Sequence, residues 1–262
     1  MKKQIAFITT IAALLAGTAL NAQSLATPKG NSRDFAVSVG LTTLFTSAKA
    51  TADLRYEDFI DPTKNWSESE SINLGSLVFF GPSFNFEWRI DQQNKLLLNT
   101  GFLFSNKARK TQFVYDDGMW RDEDKTEFSA TAIPLLFAYG YQIPFGDNKE
   151  FEVSLTPTIG FIHFRGKTNY IFSETEIATG NTDVEVLSHK FNNTVFAYGI
   201  GVNFVWHINN RLSADIGYRF LATGKLKVFN SVEGDDDWRG TIEAKTKSLA
   251  THSLTAAIGF KF

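Results

Sequence analysis

The four histidines are the residues of this chain best suited to acid–base work near neutral pH. A hydrolase or acyltransferase would need one of them beside a serine, with a carboxylate nearby. His252 and Ser253 are adjacent, so on a strand they point to opposite faces. His163 and His207 have no serine two residues away, and His189 falls in a polar stretch between apolar segments. The pattern fits interfacial or solvated histidines, and no catalytic residue is assigned.

Charged residues supply the second constellation. Glu87, Arg89, Glu152, Asp215, Arg219 and Lys261 each stand out of phase with the apolar residues around them. An element of period two turns all six to one side. Enclosed there, the acids and bases must neutralise one another. The plain outcome is a structural plug. The sharper one is an ion gate whose pairs exchange partners. A narrow closed sheet is filled by its own side chains, which favours the plug.

Other chemistry is poorly supplied. Asp116-Asp117-Gly118 and Glu233-Gly234-Asp235-Asp236-Asp237-Trp238 offer oxygen ligands but lack the spaced calcium-loop pattern, so they read as solvated tips and no metal is assigned. The chain has no Cys, which excludes disulfides, thiolate metal sites and a cysteine nucleophile. A formal net charge of −2 gives no basic field for nucleic acid. No cofactor is implied.

The elements that must position these residues alternate with period two. Near 34–45, Phe35, Val37, Val39, Leu41 and Phe45 oppose Ala36, Ser38, Gly40 and Thr42. Near 74–90, Val78, Phe80, Phe84, Phe86, Trp88 and Ile90 oppose Gly81, Ser83, Asn85, Glu87 and Arg89. The alternation recurs near 96–105, 128–145, 151–161, 196–207, 212–220 and 253–262. Pro134 and Pro157 each remove a ladder donor, and a bulge is expected at Pro134. Glycines fall on the polar faces, where small residues relieve crowding in a narrow barrel. The count is roughly eight strands with apolar side outward to lipid and polar side inward.

Connections alternate too. Tight turns lie at 91–94, 146–149 and 209–211; long polar segments lie near 47–73, 107–127, 165–190 and 223–248. Residual alternation in those segments, as at 112–115 and 169–172, predicts that strands continue as hairpins. Trp66, Trp120 and Trp238 there are candidates for a contact surface, although packing among the hairpins accounts for them equally well. Trp88, Tyr141, Phe145, Phe151, Trp206, Phe260 and Phe262 fall on the apolar side near the tight-turn end, as an aromatic girdle would. A soluble barrel around a ligand would instead turn these rings inward and leave Gly and Ala facing water.

The N-terminus reads as a secretory signal over 1–22: Lys2 and Lys3, an apolar core 5–16, and small residues around Ala19 and Ala22. A short segment 23–32 would precede a barrel spanning 33–262.

With these features the chain resembles small Gram-negative outer-membrane β-barrel proteins, the OmpA transmembrane-domain, OmpX and OmpW type. The resemblance covers about residues 33–262, rests on pattern, and has one motif-like part, Gly259-Phe260-Lys261-Phe262. It implies an all-β, eight-stranded antiparallel transmembrane up-and-down barrel with short periplasmic turns and long extracellular loops. It also implies Sec-type export, outer-membrane lipid and lipopolysaccharide as surroundings, and assembly by the barrel-insertion machinery with Phe260 and Phe262 as the signal. No peptidoglycan-binding domain is expected after the last strand. The expected function is structural or surface-interacting, with a plugged lumen and loops that recognise an extracellular protein or glycan, and not enzymatic. The alternatives are a narrow porin-like channel for small or hydrophobic solutes and a lipid A-modifying enzyme.

Overall fold

A computed structural model describes residues 35–91, 93–146, 150–234 and 238–262. The expected signal 1–22 and segment 23–32 lie outside the described residues, as do 147–149 of one tight turn. The strands are β1 (Phe35–Asp58), β2 (Trp66–Arg89), β3 (Asn94–Gly101), β4 (Leu103–Ser105), β5 (Ala108–Asp116), β6 (Trp120–Phe145), β7 (Phe151–Glu176), β8 (Thr182–His207), β9 (Leu212–Thr223), β10 (Lys227–Gly234), β11 (Trp238–Thr246) and β12 (Ala250–Lys261).

All pairings are antiparallel, and they close a ring. β1 pairs with β2 along one edge and with β12 and β11 along the other. The remaining neighbours follow chain order, so the pieces form eight staves: β1, β2, β3–β5, β6, β7, β8, β9–β10 and β11–β12. Closure leaves no free edge in the ring itself, whereas beyond it, among the described residues, β5 pairs on one side with β6 and β10 on one side with β11. The outward residues of β7 run from Phe151 to Phe161. Roughly ten steps of about 3.3 Å, tilted by roughly 40°, make an apolar band about 25 Å tall.

The faces follow the alternation in the sequence. Leu135, Phe137, Tyr139, Tyr141 and Ile143 of β6 are exposed, while Pro134, Leu136, Ala138, Gly140 and Gln142 between them are buried. The long polar segments continue as hairpins, as their residual alternation predicts: each is mostly paired strand. β7 and β8 are 26 residues each, and Tyr56↔Trp66 still pairs near the far end of β1 and β2. His189 therefore lies on β8, where its ring stands 5.4 Å from that of Phe229.

No bulge forms at Pro134. The third stave pairs Thr100↔Leu135 and then Leu103↔Ala132, so two ladder positions lapse beside Pro134 and the register is kept. Pro157 behaves alike between Ala138↔Thr158 and Tyr141↔Leu155. A missing donor is absorbed by skipping its rungs, because a shift would turn every following side chain to the wrong face. The register shifts instead at Ala48/Lys49, Thr111/Phe113 and Lys227/Phe229, toward the hairpins.

The glycines are explained by close backbone approach as well as by lumen space. A Cβ at Gly199 would stand 1.9 Å from the Phe220 carbonyl oxygen, and one at Gly160 would stand 2.2 Å from that of Leu135.

Candidate functional site

The interior has two layers of different chemistry. In the tight-turn half the inward residues are polar, and Ser38, Thr42, Asn99, Ser154, Thr156 and Ser253 are buried. Toward the hairpins the inward residues turn apolar. Leu44, Phe79, Leu103, Phe128, Ile162, Phe164, Phe191 and Leu221 form one buried cluster. Phe79 of β2 meets Phe164 of β7 at 5.8 Å between ring centres, and Phe128 of β6 stacks on Phe191 of β8 at 5.2 Å. Neither pair belongs to adjacent staves, so the rings meet across the bore.

Sequence reasoning missed this layer. Its signal is present in apolar pairs such as Phe79-Phe80, Leu135-Leu136 and Leu221 after Phe220, where alternation calls for a polar inward residue. A run apolar on both faces marks a strand buried on both faces.

Beneath it lies the charged layer. Arg89 Nε donates to Glu87 at 3.1 Å and its Nη2 to Glu152 at 2.8 Å. Lys95, absent from the six expected charges, is nearly inaccessible and reaches Glu152 at 2.5 Å and Glu87 at 3.0 Å. It shares the phase of Asn99 and Gly101, which could have revealed it. His207 Nε2 lies 3.5 Å from Glu152. Gln142, with its amide turned to donate, reaches both Glu152 oxygens at 2.9 and 2.7 Å.

The expected pairing of Arg219 and Asp215 with this group is corrected. Arg219 donates to the Asn99 side chain at 2.7 Å, and Asp215 accepts from Ser38 at 2.8 Å. Among the described residues neither has an ion-pair partner within 4.0 Å. Both line a cavity of about 60 Å³ between the two layers. That volume holds a few water molecules. Lys261 borders a smaller cavity of about 30 Å³ at the tight-turn mouth, beside Arg89 and His207.

On the outer wall, Trp88 pairs with Phe35 and Trp206 with Phe151. Phe145, Phe151 and Phe204 cluster, with Phe145 5.5 Å from Phe151 and Phe151 5.8 Å from Phe204. Tyr141 stands exposed beside them, Phe260 pairs with Leu212, and the Phe262 amide donates to the Phe35 carbonyl at 2.8 Å. At the opposite end Trp66 stacks on Tyr56 at 6.3 Å and Trp120 opens β6, both exposed. Trp238 begins β11, and its side chain lies outside the described set.

The remaining histidines face outward. His163 Nδ1 bonds the Thr194 hydroxyl at 2.9 Å, and His252 Nδ1 bonds the Tyr218 hydroxyl at 2.7 Å.

A closed ring of eight staves, with lipid-compatible rings outside, is the architecture of an outer-membrane barrel. The family of outer membrane protein beta-barrel domains matches residues 10–262. The chain belongs to this family. It is an outer-membrane protein whose barrel carries short turns at one end and long hairpins at the other. Among solved structures it is similar to Ail of Yersinia pestis, at 11% identity over 88% of this chain and 99% of that one, with a TM-score of 0.31. OprG of Pseudomonas aeruginosa matches at 10% identity over 88% and 96%, with a TM-score of 0.41. Neisserial surface protein A matches at 13% over 83% and 97%, with a TM-score of 0.31. No curated protein matches the chain.

Proposed function

We propose that this outer-membrane barrel is a closed scaffold that presents its extracellular hairpins for recognition of a protein or glycan, and that it neither conducts nor catalyses. The observation that carries this reading is the contact of Phe79 with Phe164 across the bore, stacked above the charged layer around Glu152. An ion would meet an apolar constriction and then a floor of paired charges. In this reading the lower plug is Glu87, Arg89 and Glu152 of the expected cluster with Lys95 added, and Asp215, Arg219 and Lys261 line the cavities beside it.

The hairpins supply the contact surface. Trp66, Trp120, Tyr115, Phe59 and Ile60 are exposed beyond the apolar band. Aromatic residues displayed there suit a binding surface. A catalytic reading gains no support from His163 or His252, whose hydrogen-bond partners are a threonine and a tyrosine.

Conductance of the refolded full chain in planar bilayers tests the closed scaffold. Silence from a heat-modifiable, correctly folded barrel is the expected result. Stable, reproducible steps would replace this reading with the narrow channel.

A further inference from the structure

The β7–β8 hairpin carries an unusual pairing just above the apolar band. Phe161↔Phe196 is the last apolar outward pair, with ring centres 5.7 Å apart. His163↔Thr194 and Arg165↔Asn192 follow, and then Lys167 stands directly opposite Lys190. Arg165, Lys167 and Lys190 are all exposed. Like charges opposite one another on a ladder repel and destabilise the pair. Among the described residues none of the three has an acid within 4.0 Å. Two other close pairs of bases in the hairpins are each bridged by an acid: Lys107 and Arg109 share Glu127, and Lys227 and Lys245 share Glu243.

Two further observations fix what could relieve the repulsion. First, the three cations project from the outer wall along the same face as Phe161. Arg165 is roughly 10 Å above that ring in the membrane direction, and long side chains reach back toward the interface. That is the level of lipid headgroups. Second, the tip of the same hairpin is acidic. Glu174 stands opposite Asp183, and Glu185 is two rungs lower, all exposed. A soluble polyanion approaching from outside would meet this negative tip first, whereas a lipid arrives sideways through the membrane plane.

We propose that Arg165, Lys167 and Lys190 form a docking site on the barrel wall for the phosphate groups of an outer-leaflet glycolipid. The site goes beyond the reading of the hairpins as a recognition surface and stands whether or not the lumen conducts. Charge-assisted hydrogen bonds from a guanidinium and two ammonium groups to phosphate oxygens are among the stronger polar contacts. The apolar residues below would hold the acyl chains of the same molecule.

The test is titration of the purified full-length barrel, in neutral detergent, with lipopolysaccharide and with enzymatically dephosphorylated lipopolysaccharide. Replacing Arg165, Lys167 and Lys190 together by Gln should weaken binding of the phosphorylated form roughly fivefold per charge, on the order of 100-fold in all. The dephosphorylated form should bind wild type and variant alike. Heat-modifiable mobility confirms that the variant folds, and Lys167→Arg with Lys190→Arg should restore binding. Lys64→Gln, at the tip of the first hairpin, should change nothing. Equal binding of lipopolysaccharide by wild type and the triple variant overturns the site. So does competition by inorganic phosphate at millimolar concentration in the same titration.

Discussion

Lys95 Nζ stands 2.5 Å from Glu152 Oε1, and both side chains are almost wholly buried. They come from β3 and β7, strands that do not pair, so the bond crosses the bore. It joins two staves that the sheet ladder leaves apart, and it holds the polar floor together.

Breaking this pair should destabilise the barrel. Lys95→Met leaves Glu152 with Arg89 as its remaining cationic neighbour within 4.0 Å among the described residues that carry a permanent charge, and removal of one partner of a buried pair costs about 3 kcal/mol or more. Denaturant unfolding in lipid vesicles, read by heat-modifiable mobility, measures the loss. Glu152→Met in the Lys95→Met background should recover part of it, since an apolar pair is tolerated where a lone charge is not. Strictly additive losses would show that the two groups are uncoupled.

The apolar layer should be the constriction. Phe79→Ala combined with Phe164→Ala removes the rings that meet across the bore, and each truncation costs about 3–5 kcal/mol in a well-packed core. Conductance should appear in the double variant and remain absent from wild type. Continued silence of the folded double variant would place the constriction in the charged layer below.

Glycine positions should differ in tolerance. At Gly199 an added Cβ meets backbone, the Phe220 carbonyl oxygen at 1.9 Å, which cannot move without parting two strands. At Gly217 the nearest atom is the Asn203 side-chain oxygen at 2.4 Å, which can rotate away. Gly199→Ala should therefore reduce the folded yield sharply and Gly217→Ala only slightly, as judged by the heat-modifiable band after refolding. Equal yields would contradict the close approach.

The last hairpin should loosen in acid. Hydrogen bonds from Lys227, then Lys245, hold the Glu243 carboxyl below the usual glutamate range. A depressed value means that this stabilisation is complete above the ordinary glutamate pKa and disappears as pH falls through the lower, folded one. Hydrogen exchange of β10 and β11 should thus accelerate below about pH 4, a window set by that ordinary value. Glu243→Gln should already exchange fast at pH 7 and lose the acid dependence. A wild-type hairpin indifferent to acid would show that the cluster contributes nothing.

The sequence by itself determined the faces of the strands. Period-two alternation assigned Phe137, Tyr139 and Tyr141 to lipid and Ala138, Gly140 and Gln142 to the interior, because backbone pleating fixes that geometry locally. The number of staves was legible for the same reason, and so were the long hairpins, since alternation persists at 169–172. Three features waited on the tertiary structure. Which inward charges meet depends on how far staves are displaced along one another and on distances across the bore, so Lys95 found Glu152 while Arg219 found Asn99. The apolar plug was hidden because Leu135-Leu136 and Phe79-Phe80 are apolar on both faces, and composition alone does not say which member turns inward. The opposition of Lys167 and Lys190 exists only through register, since 23 residues separate them in the chain and a slip of one rung would turn one of them away. Pleating is a property of each strand, whereas pairing belongs to the closed ring.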